Sequence, residues 1–417
     1  MTHATKFTMI ALALLFISPS NSNSQGWNAV ESGTHFNLYR LRFIDSNTGV
    51  AVGDSGTILR TTDGGITWTS QTSGVTNNLL AVSFSSTSNG WVSGSGGVIL
   101  HTTNGGGTWT SQTSGTTQNL QGIFCFSTSS AIAVGNAGTI VHTTNSGSNW
   151  TPQTSGTNGS LSGIFFTSAT TGSVVGGYTG TSVFLHTTNG GTNWSLQTNS
   201  NFKGLYEVSF LDSQNGTAVG AGGTIVRTTD GGSSWNSEPS DTTTDLWGVS
   251  FSNANTLTAV GGALHAGGGN GIMLRSTDSG STWHTQTIPT TKGIYAVAFT
   301  SADKGVAVGE AGTILKTVAS SVTSHADKIP TLFQLEQNFP NPFNPSTEIQ
   351  FSLPNRSNVT LRIFDLTGRE VATLVSGELQ AGTYKTEWDA SAVPSGVYFY
   401  RLEAERFSST KKLILVK

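Results

Sequence analysis

The sequence has almost no cysteine, since Cys125 stands alone among 417 residues. A single cysteine cannot form an internal disulfide, so the fold must be stabilised by its core and by strand pairing. Charge is also scarce: charged residues make up 10 % of the chain and the net charge is −3. This balance gives no overall attraction for nucleic acid or for an anionic membrane.

The N-terminal apolar run is too short to cross a membrane. It extends from Phe7 to Ile17, whereas a transmembrane helix needs about 20 apolar residues. Lys6 precedes the run and small polar residues from Ser18 to Gln25 follow it, which is the order typical of a secretory signal. We predict a signal peptide over residues 1–24 and a mature chain without a transmembrane segment. No cysteine follows the run, which excludes a lipoprotein anchor.

Glycine and tryptophan, in contrast, are abundant and periodic. The 52 glycines lie among runs of Thr, Ser and Asn, a composition typical of short strands joined by tight turns. Seven tryptophans recur at spacings of 41, 41, 41, 44, 41 and 48 residues: Trp27, Trp68, Trp109, Trp150, Trp194, Trp235 and Trp283. A period of about 40 to 45 residues with this composition indicates the blades of a β-propeller.

Each repeat contains three apolar or alternating runs, as in LYRLRF, GVAVG and GTILRTT of the first repeat. Seven such repeats begin near Leu38, Leu79, Leu120, Leu161, Leu205, Leu246 and Ile294. The seventh repeat ends at Thr317 without a tryptophan, while Trp27 precedes the first repeat. We therefore predict an all-β, seven-bladed propeller over residues 25–318, closed by an N-terminal strand around Trp27 that completes the last blade.

A similar turn precedes six of the tryptophans, as in TTDGGITW from Thr61 and STDSGSTW from Ser276. These turns resemble the Asp-box, or bacterial-neuraminidase, repeat. An Asp or Asn side chain there accepts hydrogen bonds from nearby backbone N–H groups and Gly permits positive φ, so the motif is primarily structural.

The whole repeat, GxAVGxxGTIxxTTDGGxTW, resembles the propellers of the photosystem II assembly factors of cyanobacteria and plastids, over roughly Gly26 to Val318. The resemblance implies a non-catalytic platform that binds other proteins. From this resemblance we expect a binding platform in this protein as well. A photosystem-assembly-like role is kept as an alternative.

A secreted glycoside hydrolase is the other alternative, because Asp boxes also occur in sialidases and some glucanases. Such an enzyme needs charged groups gathered around an oxocarbenium-like transition state. The propeller region has five arginines: Arg40, Arg42, Arg60, Arg227 and Arg275. Arg60, Arg227 and Arg275 share one repeat position, which places them in different blades. Tyr206 and Glu207 are neighbours in one predicted strand, so their side chains should point to opposite faces. We therefore expect no catalytic residues, no cofactor and no enzyme activity.

One position of the repeat varies in an informative way. The second residue of the first strand is aromatic in four repeats that are adjacent in a closed ring, namely Tyr206, Trp247, Tyr295 and Tyr39. The hairpin register predicts that these side chains form an arc near Asp54 and Glu310, on the rim that carries the glycine-rich insertion from Gly261 to Gly271. Aromatic residues with acidic neighbours suit protein or glycan recognition, although packing between blades would also explain them.

A second position is always basic: Arg60, His101, His142, His186, Arg227, Arg275 and Lys316. This basic belt is predicted on the opposite rim, where Arg60, Arg227, Arg275 and Lys316 could meet an acidic partner, unless each stem packs on its own blade. The histidines lie on different blades, too far apart for the ~2 Å bonds of a metal ion, so no metal site is predicted.

The chain changes character after Ser320. A linker over residues 319–331 is followed by LEQNFPNPFNPSTEIQFSLP and by alternating strand patterns, which predict a small immunoglobulin-like β-sandwich over residues 332–417. These motifs resemble the type A C-terminal sorting domain of the type IX secretion system. The resemblance implies export to the cell surface or medium, with the secretion machinery as partner. The predicted sorting signal is the last strand: Lys411, Lys412, Leu413, Ile414, Leu415, Val416 and Lys417.

Overall fold

The structure is a computed structural model that describes residues 26–178, 181–263, 270–317, 323–325, 330–391 and 393–417. The predicted signal peptide, most of the linker and residues 264–269 of the glycine-rich insertion lie outside these ranges. Within them the chain is all-β apart from single 3-10 turns. No helix in these ranges has the length and apolar character needed to span a bilayer.

The tryptophan-rich part of the described chain forms seven four-stranded antiparallel sheets, here numbered sheets 1 to 7. Their first strands are Leu38–Phe43, Leu79–Phe84, Leu120–Cys125, Leu161–Phe166, Leu205–Phe210, Leu246–Phe251 and Ile294–Ser301. Their second strands are Gly49–Gly53, Gly90–Gly94, Ala131–Gly135, Gly172–Tyr178, Gly216–Gly220, Leu257–Gly261 and Lys304–Gly309. Their third strands are Ile58–Thr61, Val98–Thr102, Ile140–Thr143, Thr181–Thr187, Ile225–Thr228, Ile272–Ser276 and Ile314–Thr317.

The fourth strands of sheets 1 to 6 follow the Asp-box turns: Thr69–Gln71, Thr110–Thr113, Thr151–Gln153, Ser195–Asn199, Asn236–Glu238 and His284–Thr285. The 3-10 turns join second and third strands at Asp54–Gly56, Ser95–Gly97, Asn136–Gly138, Ala221–Gly223 and Glu310–Gly312. The third residue of such a turn has positive φ and no room for a side chain. A Cβ on Gly56 would lie 2.0 Å from the Val75 carbonyl oxygen, which explains the glycine.

The fourth strand of sheet 7 comes from the other end of this region. Trp27–Val30 pairs antiparallel with Ile314–Thr317, in a register that joins Trp27 to Thr317 and Val30 to Ile314. The indole of Trp27 is 5 % exposed and meets the ring of Phe299 edge-on at 6.1 Å. The strand pairing predicted from the unmatched tryptophan is therefore present.

Neighbouring sheets pack face to face and share their cores. Val50, Val52 and Ile58 of sheet 1, for example, pack in one cluster with residues of sheet 2 such as Leu79 and Val92. Second strands such as GVAVG are buried at every residue, because each is covered on both faces. Full burial of one such aliphatic side chain stabilises the fold by about 1.5–3 kcal/mol, so the sheets are held mainly by these interfaces.

The first strand of every sheet from 1 to 7 contains a β-bulge at the same place. In sheet 1 the pairing register breaks between Leu38 and Arg40, which leaves Tyr39 as the extra residue. The same break occurs in the other six sheets. A bulge interrupts strict alternation and changes the direction of a side chain. The sequence carries a sign of the bulge, because the buried residues Leu38 and Leu41 are three residues apart and not two.

The remaining part of the described chain forms two four-stranded antiparallel sheets that share one apolar core. Sheet 8 contains, in spatial order, Thr323–His325, Gly382–Asp389, Ser346–Leu353 and Gln334–Leu335. Sheet 9 contains Glu370–Leu379, Ser357–Phe364, Gly396–Ala404 and Phe407–Leu415. Residues 323–325, within the predicted linker, thus form an edge strand. The strand that contains the predicted sorting signal begins at Phe407, earlier than the sequence suggested, and ends at Leu415.

Candidate binding site on one rim

Four aromatic side chains of sheets 5, 6, 7 and 1 form a continuous row, here called the aromatic arc. Tyr206 stacks on Trp247 with ring centroids 4.1 Å apart and an interplanar angle of 11°. Trp247 meets Tyr295 edge-on at 6.4 Å, and Tyr295 stacks on Tyr39 at 5.8 Å. The structure thus brings together all four residues that the sequence singled out.

The bulge explains the placement of the aromatic arc, because each of its members is the extra residue of a first strand. The equivalent residues of sheets 2, 3 and 4 are Leu80, Gln121 and Ser162, so the row ends where these sheets begin. Tyr295 is 2 % exposed and serves as the packed centre. Tyr39, Tyr206 and Trp247 are only partly buried.

Most polar groups of the aromatic arc are already used within the protein. The Tyr39 hydroxyl donates to Asp54 Oδ1 at 2.6 Å, and Trp247 Nε1 donates to the Gly262 carbonyl at 2.8 Å. The Tyr295 hydroxyl donates to the Ala263 carbonyl at 3.3 Å. These bonds fix the ring orientations, so the arc presents aromatic faces more than hydrogen-bond donors.

Burial keeps the tyrosine hydroxyls protonated. It raises the pKa of Tyr39 to about 12, with a further contribution from the bond to Asp54. It raises the pKa of Tyr206 to about 12 as well, helped by the charge of Asp245. The pKa of Tyr295 is raised further still, by burial and then by the Glu310 carboxylate. The aromatic arc therefore carries no charge of its own at neutral pH.

Carboxylates surround the aromatic arc, as the register predicted for Asp54 and Glu310. Glu310 is 5 % exposed and accepts the Gly293 N–H at 3.1 Å. Asp245 accepts the Gly222 N–H at 2.7 Å. Glu310 and Asp245 therefore stabilise turns of the rim through these bonds.

Arg40 joins the two ends of the aromatic arc, a role that the sequence did not reveal. Its guanidinium donates to the carbonyl of Tyr39 at 3.1 Å and to that of Tyr206 at 3.3 Å. It also forms an ion pair with Glu207, with Nε and Oε2 3.0 Å apart. Burial raises the pKa of Glu207, and the charge of Arg40 opposes that shift. The ion pair thus links sheet 1 to sheet 5 directly beneath the arc.

The sequence carried a signal for this ion pair. Arg40 and Glu207 are both the third residue of a first strand, where the other five sheets have only glycine or alanine: Ala81, Gly122, Gly163, Gly248 and Ala296. A Cβ on Gly163 would lie 2.9 Å from Glu207 Cα, so backbones approach too closely there for a larger residue. Two opposite charges at a position that is otherwise glycine or alanine predict an ion pair between the two first strands that carry them.

First-strand residues from all seven sheets line one central cavity of about 120 Å³. Small-molecule sites typically have about 300–1,000 Å³, so this cavity is too small for a sugar substrate. Arg40 and Glu207 lie in its wall, and their side chains keep exposures of 20 % and 23 %. Tyr206 and Glu207 accordingly face different surroundings, the aromatic arc and the cavity.

The basic belt lies on the third strands and is tied to neighbouring turns. Arg60 Nε donates to the carbonyl of Gly105, in the Asp-box turn of sheet 2, at 2.8 Å. Burial lowers the pKa of both Arg275 and Lys316, and Arg227 is partly buried. The stem of each cation is therefore packed on the protein.

The three belt histidines are packed in sheets 2, 3 and 4. His101 stacks on Trp91 with ring centroids 4.3 Å apart. His142 bonds through one nitrogen to Ser130 at 3.2 Å and through the other to Gln153 at 3.3 Å. Burial lowers the pKa of His101, His142 and His186. Across the described ranges, no three His, Cys, Asp or Glu side chains are grouped so that they could hold a metal ion.

The Asp-box turns have the structural geometry expected of them. Asp230 Oδ1 accepts the Ser234 N–H at 2.9 Å, and the Thr228 hydroxyl donates to the same oxygen at 2.8 Å. The bond from the Ser234 hydroxyl is the main cause of the lowered pKa of Asp230. These carboxylates are occupied by their own turns.

The fold and its aromatic rim define a β-propeller, and solved structures support this class. The structure described as "YCF48 bound to D1 peptide" matches with a TM-score of 0.59 and 23 % identity, over 72 % of this chain and 99 % of its own. YCF48 from Cyanidioschyzon merolae matches at 0.58 and 23 %, over 70 % and 98 %. The WD40 β-propeller domain of Doa1 matches at 0.55 and 12 %, over 70 % and 97 %.

The chain belongs to the family described as photosynthesis system II assembly factor YCF48, whose family model matches residues 19–200 and 250–318, more than half of the chain. A second family model, described as the secretion system C-terminal sorting domain, matches residues 337–417. Both resemblances drawn from the sequence are thus confirmed. No curated protein sequence matches this chain. The sorting domain indicates export by the type IX secretion system to the cell surface or the outside.

Proposed function

We propose that sheets 1 to 7 are the seven blades of one closed ring, and that the ring binds an extracellular protein or glycan at the aromatic arc without catalysing a reaction. The ring closure is supported by contacts between sheets 7 and 1. Tyr295 stacks on Tyr39, and the Ala311 N–H donates to Asn37 Oδ1 at 2.8 Å. The strand that begins at Trp27 completes sheet 7 across the same junction.

The single observation that carries the binding role is the aromatic arc itself. Three of its rings are held by hydrogen bonds to Asp54, Gly262 and Ala263, and that of Tyr206 stacks on Trp247, so little conformational entropy is lost when a partner covers them. Tyrosine and tryptophan dominate the energetics of protein interfaces. A rigid row of partly exposed rings, backed by carboxylates, has the features of such a contact surface.

Hydrolysis is the weaker proposal because the arginines are spread over separate sheets and Glu207 has no second carboxylate beside it. Arg60, Arg227 and Arg275 lie at equivalent positions in sheets 1, 5 and 6. Glu207 faces Arg40 and not a second carboxylate, whereas glycosidases use a pair of carboxyl groups about 5–10 Å apart. The central cavity is also too small to hold a sugar chain.

A related propeller gives independent support for a protein partner, since the YCF48 structure noted above is described as bound to a D1 peptide. By analogy we propose that this ring can also bind a polypeptide segment. Export by the sorting domain places this chain among partners at the cell surface or in the medium.

The test uses the purified full chain in a glycan array, a peptide array and a glycoside hydrolase screen. The double variant Tyr206→Ala plus Trp247→Ala is compared with Leu80→Ala plus Gln121→Ala, which changes the same bulge positions in sheets 2 and 3. We expect ligands that are lost only with the first variant. Turnover that a single carboxylate substitution abolishes would establish the hydrolase and refute the proposal.

A further inference from the structure

The strand that carries the predicted sorting signal lies at the edge of sheet 9. Phe407–Leu415 pairs along its full length with Gly396–Ala404, from Ala404 opposite Phe407 to Gly396 opposite Leu415. Its other edge would normally leave backbone groups open to a partner strand. The exposed and partly exposed residues alternate with buried Leu413 and Leu415, as expected for a strand with one core face.

The proline-rich opening of the domain covers half of that edge. Gln337 Nε2 and Asn341 Nδ2 both donate to the carbonyl of Lys412, at 2.7 and 3.3 Å. Asn341 Oδ1 accepts the N–H of Ile414 at 2.9 Å. The backbone of Phe343 then bonds to Ile414 O and to Val416 N–H, both at 3.0 Å.

This covering decides how the sorting strand can be recognised. Addition of a partner strand needs the outward N–H and C=O groups of the edge. From Lys412 to Val416 those groups are bonded to Gln337, Asn341 and Phe343. A partner that meets the folded domain therefore contacts side chains of the strand together with the segment that covers it.

The covering segment carries the most exposed large apolar side chain of the described residues. Phe339 is 80 % exposed, and its backbone is fixed by reciprocal bonds with Glu348, each 2.9 Å long. A rigid backbone with an outward ring is suited to fill a pocket, because it loses little freedom on binding. Phe339 is two residues from Asn341, which touches the sorting strand.

The sorting strand carries positive charge beside the covering segment. Lys412 is exposed, and among the described residues its ammonium group has no hydrogen bond, whereas that of Lys417 donates to the Ser391 carbonyl at 2.6 Å. Nearby Glu348 is already paired with Lys385 at 2.7 Å. The covering segment therefore carries an exposed apolar side chain, and the strand that it covers carries an exposed cation.

We propose that the secretion machinery reads a composite surface of the folded domain, formed by Phe339 together with Lys412 and the strand end, through an apolar pocket rimmed by carboxylates. The covering segment is then part of the sorting element and not only a support for it. The proposal concerns export and is independent of what the ring binds.

The experiment follows the full chain in cells that carry the secretion system and measures the ratio of periplasmic to external protein. Phe339→Ser is compared with Leu366→Ser, a matched control, because Leu366 is also an exposed apolar residue, at 71 %, but lies in the turn after Ser357–Phe364. We expect Phe339→Ser to raise the ratio about tenfold or more, as for loss of an interface hot spot. Phe339→Leu restores export, and Lys412→Glu reduces it.

Melting curves of the purified variants check that the domain still folds, which is expected because Phe339 and Leu366 are solvent-exposed. Export of Phe339→Ser at the wild-type level overturns the proposal, as does equal retention of the Leu366→Ser control. If Phe339→Ser is exported normally while Lys412→Glu is not, recognition depends on the lysine alone. That result also overturns the proposal of a composite surface.

Discussion

Sheets 5, 6, 7 and 1 differ from sheets 2, 3 and 4 at the same repeat positions. The first group has aromatic bulge residues and permanent cations on its third strands, whereas the second has Leu80, Gln121 and Ser162 with three histidines. The bulge of the first strand is the same in both groups. Side chains that vary on a constant scaffold are the ones free to serve a function, so the comparison separates the candidate site from the fold.

The junction between sheets 7 and 1 lies inside the aromatic group, which makes the site dependent on it. Tyr295 and Tyr39 stack across this junction, and Trp27–Val30 completes sheet 7 beside it. Opening the junction should therefore disturb the aromatic arc before it disturbs sheets 2 to 4.

The largest expected effect comes from deletion of residues 27–34. It removes the fourth strand of sheet 7 and the buried Trp27 indole, and loss of a buried tryptophan side chain alone costs about 3–5 kcal/mol. We expect a lower melting temperature and protease cleavage that begins in sheets 7 and 1. Unchanged melting and protease resistance would contradict the closure of the ring by this strand.

The next effect concerns the ion pair beneath the aromatic arc. Glu207→Ala leaves the Arg40 guanidinium without its carboxylate, and we expect about 1–3 kcal/mol of destabilisation, since both side chains keep some solvent. The double variant Arg40→Met plus Glu207→Leu should recover most of this loss. Denaturant unfolding of wild type, Arg40→Met, Glu207→Leu and the double variant measures the coupling. Additive effects would show that the pair does not link sheets 1 and 5.

The histidine group should respond to pH while the aromatic group does not. Burial lowers the pKa of His101, His142 and His186 in the folded chain, so below about 6.5 the unfolded chain binds more protons. Stability is therefore complete above that pH and falls as the solution becomes more acidic. Replacement of the three histidines with glutamine should flatten melting temperature against pH between 7 and 5. Parallel curves for wild type and variant would rule the histidines out as the cause.

Loss of the aromatic arc should leave the fold intact. Tyr206→Ala plus Trp247→Ala removes a stacked pair worth about 0.5–1.5 kcal/mol beyond its burial, at partly exposed positions. Thermal unfolding should remain cooperative and close to that of the Leu80→Ala plus Gln121→Ala control. A collapse of the fold in the arc variant alone would assign these residues to packing.

The features that repeat along the chain were predictable from the sequence. Tryptophan spacing and glycine turns indicated the sheets, the unmatched Trp27 indicated its pairing with the last repeat, and equivalent positions indicated that Tyr206, Trp247, Tyr295 and Tyr39 meet. The bulge at Tyr39 is absent from our prediction, although the three-residue step from Leu38 to Leu41 breaks the period of two that a regular strand has. The Arg40–Glu207 pair and the bonds of Asn341 to the sorting strand join residues far apart in the chain. The bonds of Asn341 depend on how two segments meet in space, which no pattern along the chain encodes. The charges of Arg40 and Glu207 stand out only when equivalent positions of all seven repeats are compared.

The measurement that tests the central claim most directly is photo-crosslinking at the rim in cells that export the full chain. A photoreactive residue at Ser55, beside the aromatic arc, is compared with one at Gly96, the equivalent turn position of sheet 2. The account predicts one discrete adduct from Ser55 that disappears with Tyr206→Ala plus Trp247→Ala, persists with Leu80→Ala plus Gln121→Ala, and is absent from Gly96. Equal adducts from both positions, or an adduct from Ser55 that survives loss of the two aromatic rings, would contradict it.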